Sequence, residues 1–281
     1  MEDLYRMENI KEYVTNQRVL LKYDLEDYLR DIGREPVFYI VQVGDNEASN
    51  RYVRNKIKDC NEVGIKTGLL KLPESTSKQD LKALINTLND EDNLVDAFMI
   101  QFPLPAHLNE EEVMCWINPK KDADGFTNNK ITNPATPQGI ITYLERNNYD
   151  FENKNALILG RSEIVGKPMA KLLLEKNCNI TVIHSKTDFE NKRKFIESAD
   201  LIISATGRME TLTNNSLISY KPDAMVFDVG INFTEDGKLV GDCETNLPVA
   251  FQSTVPGGVG LLTRLQLLEN IITLYKIRNE K

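Results

Sequence analysis

Apolar residues recur at helical spacing between positions 8 and 31, where Ile10, Val14, Leu20, Leu21, Leu25, Tyr28 and Leu29 predict an opening helix that stops at Gly33 and Pro36. The run Val37-Phe38-Tyr39-Ile40-Val41-Gln42-Val43, closed by Gly44, is β-branched and aromatic and suits a strand buried on both faces. A second helix follows directly, carries Tyr52 and Lys56, and ends at Gly64. Thr67 to Leu72 reads as a strand, Ser77 to Leu88 as a helix capped by Thr76 or Ser77, and Asp96 to Phe102 as a third strand. This order predicts a parallel sheet with right-handed crossovers, whose ligands gather outside the carboxyl ends of the strands. Lys56, Gln101 and the Pro103-Leu104-Pro105 turn fall there.

The alternation resumes after a polar stretch. Thr136 and Pro137 suit the N-cap and first residue of a helix over 140–147. Asn155 to Gly160 reads as a short apolar strand, followed by a glycine-containing turn and a helix from Pro168 to Glu175. Asn179–His184, Leu201–Ala205 and Ala224–Val229 are further predicted strands and Phe189–Ser198 a helix, which together make a Rossmann-like half. The Thr254–Gly260 loop, with three glycines and a proline, suits a hinge and equally a backbone that approaches a ligand. A last apolar helix, Leu261 to Tyr275, is expected to return to the first domain. The predicted fold is therefore α/β with two domains and a cleft between them. An N-terminal substrate domain with a parallel sheet spans 1–134 and is completed by the helix 261–281; a Rossmann-like NAD(P)-binding domain spans 135–260.

Composition narrows the classes of function. The 281 residues suffice for one large or two medium domains, and 41% hydrophobic with 27% charged residues is ordinary for a soluble globular protein. A net charge of -8 argues against nucleic acid or an anionic membrane as the main partner. No stretch approaches the ~20 apolar residues of a membrane span, and Met1-Glu2-Asp3-Leu4-Tyr5-Arg6 lacks a targeting pattern. Cys60, Cys115, Cys178 and Cys243 are widely spaced and read as free thiols, consistent with a cytoplasmic protein. With only His107 and His184, a histidine-rich metal site is not expected, and no metal is assigned.

Three stretches carry candidate chemistry. Tyr52 and Lys56, one turn apart, point from one helix face, where a buried lysine of lowered pKa can act as acid or base; spacing alone favours a solvated face. Asp122-Ala123-Asp124-Gly125 lacks the further ligands of a calcium loop and reads either as an Asp-Gly turn or as a placed pair of carboxylates. Gly160-Arg161-Ser162-Glu163-Ile164-Val165-Gly166 lies between strand and helix, as a dinucleotide site requires, although Ser162 replaces the second glycine and Gly166 falls one position late. After the next strand, His184-Ser185-Lys186-Thr187 offers no carboxylate for a ribose 2′-hydroxyl before Asp188. Ser185, Lys186 and Arg161 can instead hold a 2′-phosphate, which favours NADP, with NAD the alternative.

Taken in order, Val43-Gly44, Ala48-Ser49, Tyr52-Val53-x-x-Lys56, Gln101-Phe102-Pro103-Leu104-Pro105, Lys121-Asp122-Ala123-Asp124-Gly125-Phe126, Gly160-Arg161-Ser162-x-x-Val165-Gly166-x-Pro168, His184-Ser185-Lys186-Thr187, Asp228-Val229-Gly230-Ile231-Asn232 and Val255-Pro256-Gly257-Gly258-Val259-Gly260 resemble the bifunctional methylenetetrahydrofolate dehydrogenase/methenyltetrahydrofolate cyclohydrolase enzymes. The resemblance implies NADP-dependent oxidation of 5,10-methylenetetrahydrofolate and hydrolysis to 10-formyltetrahydrofolate, in the one-carbon metabolism that serves purine biosynthesis. It implies Lys56 as catalytic base, Tyr52 against the folate, Gln101 orienting Lys56 and Asp124 on the pterin, with Pro103, Leu104, Pro256, Gly257 and Gly258 also touching substrate. Gly160, Arg161, Ser162, Val165, Gly166, His184, Ser185, Lys186, Thr206, Gly230 and Ile231 are implied for the cofactor, and a homodimer for the assembly. A monofunctional NAD-dependent dehydrogenase and a non-catalytic folate- or nucleotide-binding protein are the alternatives. The chain departs from the family pattern in a shorter loop between Gly125 and Pro134, in Ala135, in Ser253-Thr254, in Leu261-Leu262 and in an abbreviated stretch after Asp242.

Overall fold

The computed structural model describes residues 7–127 and 131–280; the Met1–Arg6 stretch and the middle of the shortened loop after Gly125 lie outside the described residues. The chain divides into two compact units. One comprises Asn16–Ala135 with Arg264–Lys281, and the other the residues up to Thr15 with Thr136–Thr263.

The first unit takes α1 (Ile10–Ile32) from Asn16 onward, then β1 (Val37–Val43), α2 (Glu47–Val63), β2 (Lys66–Leu72), α3 (Lys78–Asn89), β3 (Ala97–Gln101), α4 (Glu110–Met114) and a 3-10 turn at Pro119–Lys121. Its three-stranded sheet runs β2-β1-β3, all parallel, with Gln42 opposite Gln101. Side chains alternate across a strand, so the apolar run of β1 fills two cores. Phe38 and Ile40 pack with Val53, Cys60 and Val63 of α2 and with Leu267, Leu268, Ile271 and Tyr275 from near the C-terminus. Val41 and Val43 pack on the other face with Leu81, Ile85 and Leu88 of α3. Each such side chain, fully buried, contributes roughly 1.5–3 kcal/mol. Asn46 caps α2 through the Ser49 N–H at 3.0 Å, and Gly64, at φ 100°, ends it.

The second unit contains α5 (Ala135–Arg146), β4 (Asn155–Leu159), α6 (Gly166–Glu175), β5 (Asn179–Ile183), α7 (Phe189–Ser198), β6 (Leu201–Ser204), β7 (Met225–Asp228), the two-residue strands β8 (Asn232–Phe233) and β9 (Leu239–Val240), β10 (Phe251–Gln252), and the start of α8 (Val259–Asn279). The order β10-β7-β6-β4-β5 is parallel throughout. The chain leaves β4 for β5 on one side and returns to β6 on the other, which opens a crevice at the carboxyl ends of these strands. The molecule is thus a two-domain α/β protein built on parallel sheets.

Three helices begin earlier than the pattern predicts. The Ala135 N–H donates to the Asp124 carbonyl at 3.1 Å, and α5 starts there, so Thr136 lies inside the first turn and is not its cap. Pro137 is tolerated because first-turn N–H groups lack intrahelical partners. In α6 the start moves back to Gly166, since Ser162 Oγ accepts from Val165 and Gly166 N–H at 3.3 Å each. The last helix, α8, runs from Val259 to Asn279, longer than predicted at both ends.

Candidate active and cofactor sites

Helical spacing and the end of β3 bring Tyr52, Lys56 and Gln101 together in the first unit. Lys56 is 6% exposed; its Nζ donates to Gln101 Oε1 at 3.1 Å and lies 3.3 Å from Met99 Sδ. The Nζ also sits 5.4 Å from the Tyr52 ring centroid. Gln101 Nε2 donates to the Phe102 carbonyl at 2.6 Å, which turns Oε1 toward the lysine. All of these partners are neutral. Burial therefore pushes the Lys56 ammonium below its ordinary value, with Asp124 opposing and Arg264 reinforcing the shift.

Asp124 enters from the loop behind β3. Asp122, fully buried, holds that loop: its Oδ1 accepts from Gly125 N–H at 2.9 Å and its Oδ2 from Thr127 N–H at 2.7 Å. Gly125 adopts φ 73°, and a Cβ there would lie 2.3 Å from the Asn133 carbonyl, so no other residue fits. Among the described residues no donor binds the Asp124 carboxylate, which is left as an acceptor. Burial raises its pKa to about 6, against the pull of Lys56 and helped by Asp122. Tyr52 is likewise shifted up by burial. The cluster unites a poised amine, a titratable carboxyl and an aromatic face. Leu104 follows nearby, buried and anchored by its N–H to Glu110 Oε1 at 2.9 Å, whereas Pro103 is exposed.

In the second unit a cavity of about 410 Å³ opens at the carboxyl ends of β4, β5 and β6. Gly160, Arg161, Ser162, His184, Ser185 and Thr206 line it, as do Lys192, Arg208 and Thr211, with no carboxylate in the wall. Backbone approach explains the glycines. A Cβ on Gly160 would lie 2.2 Å from the Ala205 carbonyl oxygen, and one on Gly166 would lie 2.5 Å from the Gly160 carbonyl oxygen. The strand ends and the start of α6 are therefore close-packed, leaving backbone beside the cavity, as a phosphate-bearing ligand requires. This wall fits a nucleotide with an added anion better than one that offers only ribose hydroxyls.

A buried carboxylate shapes one side of the cavity. Asp242 Oδ2 accepts from Thr206 N–H (2.7 Å), Thr206 Oγ1 (2.9 Å), Gly207 N–H (3.2 Å) and Ser204 Oγ (3.3 Å). Its Oδ1 accepts from Arg208 N–H and Asn232 Nδ2, each at 3.0 Å. Asp228 accepts from the Asp242 and Cys243 N–H groups at 2.9 Å, tying the two segments together. Gly230 packs against this pair, where a Cβ would lie 2.1 Å from Asp242 Oδ1.

Other residues singled out above lie elsewhere. Val165 and Gly166 form the start of α6, Lys186 is exposed with its N–H on His184 Nδ1 at 3.2 Å, and Ile231 is 53% exposed. None of these, nor Gly230, lines the cavity. Pro256, Gly257 and Gly258 form a tight turn before α8, with Gly257 at φ 98°. The sequence reading missed Lys192, Arg208 and Thr211 as well as Asp242. A cation on the α7 face toward the sheet was the available signal for Lys192; Asp242 lies in a polar stretch without periodicity.

Comparison with known proteins places these features in context. The family model for the catalytic domain of tetrahydrofolate dehydrogenase/cyclohydrolase matches residues 8–124, and the model for its NAD(P)-binding domain matches residues 134–279. The chain is 40% identical over 270 residues to the bifunctional protein FolD of Thermodesulfovibrio yellowstonii, covering 92% of each. It is also 40% identical over 265 residues to that of Ruminiclostridium cellulolyticum, covering 90% of this chain and 91% of the relative. The crystal structure of the FolD methylenetetrahydrofolate dehydrogenase/cyclohydrolase from Campylobacter jejuni superposes with a TM-score of 0.89 at 36% identity, covering 96% of this chain and 98% of that one. The Trypanosoma brucei enzyme, complexed with NADP cofactor and inhibitor, gives 0.89 at 26% identity, with 96% and 97% covered.

Proposed function

The chain belongs to the tetrahydrofolate dehydrogenase/cyclohydrolase family, and from that membership we propose how its own residues carry the two reactions. It is an NADP-dependent methylenetetrahydrofolate dehydrogenase and a methenyltetrahydrofolate cyclohydrolase. Buried Lys56, held by the neutral partners Gln101 and Met99, is the observation that carries the reading of the site.

Oxidation removes a hydride from the methylene bridge, and the two flanking nitrogens stabilise the resulting methenyl cation. No protein base is needed at this step; alignment is. Tyr52 offers its ring to the folate, and the Asp124 carboxylate accepts from pterin N–H groups. NADP supplies the hydride acceptor when bound, and Arg161, Ser185 and His184, with the backbone at Gly160 and Ser162, would hold it. In the hydrolytic step water adds to the cationic carbon. Lys56, as the neutral amine, takes one proton from the attacking water to leave a neutral carbinolamine; that proton passes to N5 as the bond from carbon to N5 breaks, and the remaining hydroxyl proton is released to solvent as the formyl C=O forms. Gln101 keeps the lysine lone pair directed. The cationic substrate itself favours the neutral amine, because like charges oppose protonation.

The test is Lys56→Met, followed by absorbance of the reduced cofactor and of the methenyl compound. Loss of hydrolysis with methenyl accumulation supports the assignment, and unchanged rates for both reactions refute it. We extend the family reading to a cytoplasmic homodimer; sedimentation of the purified chain checks the dimer. Among the described residues no helix is long and apolar enough to cross a membrane.

A further inference from the structure

The cofactor cavity holds one positive charge that the reading above leaves without a role. Lys192 lies near the N-terminus of α7, half-buried, and shares the cavity wall with His184 and Ser185 beyond β5 and with Arg208 and Thr211 beyond β6. Its Nζ donates to the Thr211 carbonyl at 2.6 Å, the one acceptor it reaches among the described residues. The carboxylates of its own helix are engaged elsewhere. Asp188 accepts from the Asn191 N–H at 2.9 Å and from Asn191 Nδ2 at 2.6 Å, while Glu190 and Glu197 pair with Arg193 at 2.8 and 3.7 Å. A cation this early in a helix is disfavoured, because the helix dipole is positive there. Partial burial adds a desolvation cost and holds the ammonium below its ordinary pKa, with no neighbouring charge to offset it.

Such a cost is recovered when an anion arrives, and the topology decides which anion. The chain steps from β4 to β5 and back across β4 to β6, so right-handed crossovers put α6 and α7 on opposite faces of the sheet. The pyrophosphate of a dinucleotide belongs with the start of α6 and the Gly160–Ser162 turn, away from the face that carries Lys192. The adenosine ribose belongs beyond the carboxyl end of the next strand, here β5, where His184 and Ser185 line the cavity. A neutral ribose hydroxyl needs no ammonium there. A 2′-phosphate does, since it brings about two negative charges and three acceptor oxygens. Lysine has three N–H donors, and the Thr211 carbonyl takes one, which leaves two for the phosphate. That same contact restrains the long side chain, so less rotamer freedom is lost on binding.

We propose that Lys192 is a specificity-determining residue for the cofactor, its ammonium held by the Thr211 carbonyl to receive the 2′-phosphate that distinguishes NADP from NAD. This rests on the reading of the cavity as the NADP site. Arg161 and Arg208 line the same cavity but are exposed, so water and salt screen them more than they screen Lys192. The half-buried lysine supplements them where screening is weakest.

The experiment is calorimetric titration of the full-length protein with 2′,5′-ADP and with 5′-AMP, which differ only in the 2′-phosphate, and with NADP and NAD beside them. Lys192→Met keeps the apolar stem and removes the charge. It is expected to weaken 2′,5′-ADP and NADP about 10- to 100-fold and to leave 5′-AMP and NAD within about twofold. Lys192→Gln, which can still donate to the Thr211 carbonyl, gives the same selective loss if the methionine variant loosens that segment. Unchanged 2′,5′-ADP affinity in either variant overturns the proposal. So does an equal loss for 2′,5′-ADP and 5′-AMP in Lys192→Gln, which would make the lysine part of the wall alone. A wild-type protein that binds 2′,5′-ADP no more tightly than 5′-AMP overturns instead the reading of the cavity as an NADP site.

Discussion

Asp242→Asn tests whether one buried carboxylate builds the wall of the cofactor cavity. The substitution keeps shape and volume but replaces one acceptor oxygen by an amide NH2. If that nitrogen takes the Oδ2 position it faces the Thr206 and Gly207 N–H groups; at Oδ1 it faces the Arg208 N–H and the Asn232 amide. Either orientation opposes two donors with a donor. A buried unsatisfied polar group costs about 1–3 kcal/mol, so the expected loss is about 3 kcal/mol. Relief of the Asp228 carboxyl, which burial and Asp242 both hold above its ordinary value, offsets part of this. Thr206 and Arg208 line the cavity, and a wall loosened by even 1.4 kcal/mol weakens NADP binding about tenfold. The assays are NADP titration by calorimetry and hydrogen exchange of the 201–212 segment. Hydrolysis of the methenyl substrate, which consumes no nucleotide, separates a local defect from global unfolding. Wild-type NADP affinity together with unchanged exchange in that segment would refute the reasoning.

Other positions give independent tests. Gly160→Ala forces a side chain at φ 116° to within 2.2 Å of the Ala205 carbonyl, and is expected to cost about 2–4 kcal/mol in urea unfolding and to weaken NADP binding. Arg161→Ala removes a charge-assisted contact worth about 1.5–3 kcal/mol, so NADP affinity is expected to fall roughly 10- to 100-fold while NAD affinity changes little; equal losses for both cofactors would assign Arg161 to the shared pyrophosphate. For Asp124, whose pKa rises from 3.8 to about 6 on folding, the folded state keeps a proton that the unfolded chain has released. Stability contributed by this group is therefore lost as pH rises from about 4 to about 6, and Asp124→Asn is expected to abolish that slope in urea midpoints measured across the window.

Much of the architecture follows from local signals that tertiary packing does not override. The short, β-branched and aromatic run of β1, closed by Gly44, favours a two-faced strand, and Gly64 marks the end of α2 because its left-handed conformation suits a C-cap. The helix starts were harder to read. Those of α5 and α6 are set by the Asp124 carbonyl and the Ser162 hydroxyl, partners that the capping pattern at Thr136 and Pro168 does not reveal. Nor does periodicity indicate that Tyr13 of α1 packs edge-on against Tyr143 of α5, ring centroids 5.0 Å apart, which draws the first turns of α1 into the second unit.

The candidate sites divide along the same line. Tyr52, Lys56 and Gln101 are legible because an i,i+4 pair and a strand terminus fix direction before any packing is known. Whether Lys56 is poised or merely solvated depends on burial, which spacing does not show: its amine is buried 3.3 Å from Met99 Sδ, on a strand well apart from it in sequence. Asp59 and Arg264 illustrate the limit most sharply. Asp59 looks like a surface charge on a polar helix and Arg264 like a lone charge on an apolar one, and only the convergence of α1, α2 and α8 makes Asp59 a buried carboxylate paired with Arg18 and Arg264. The sequence pattern thus names the group that reacts, while the burial that lowers its pKa comes from packing that only the fold supplies.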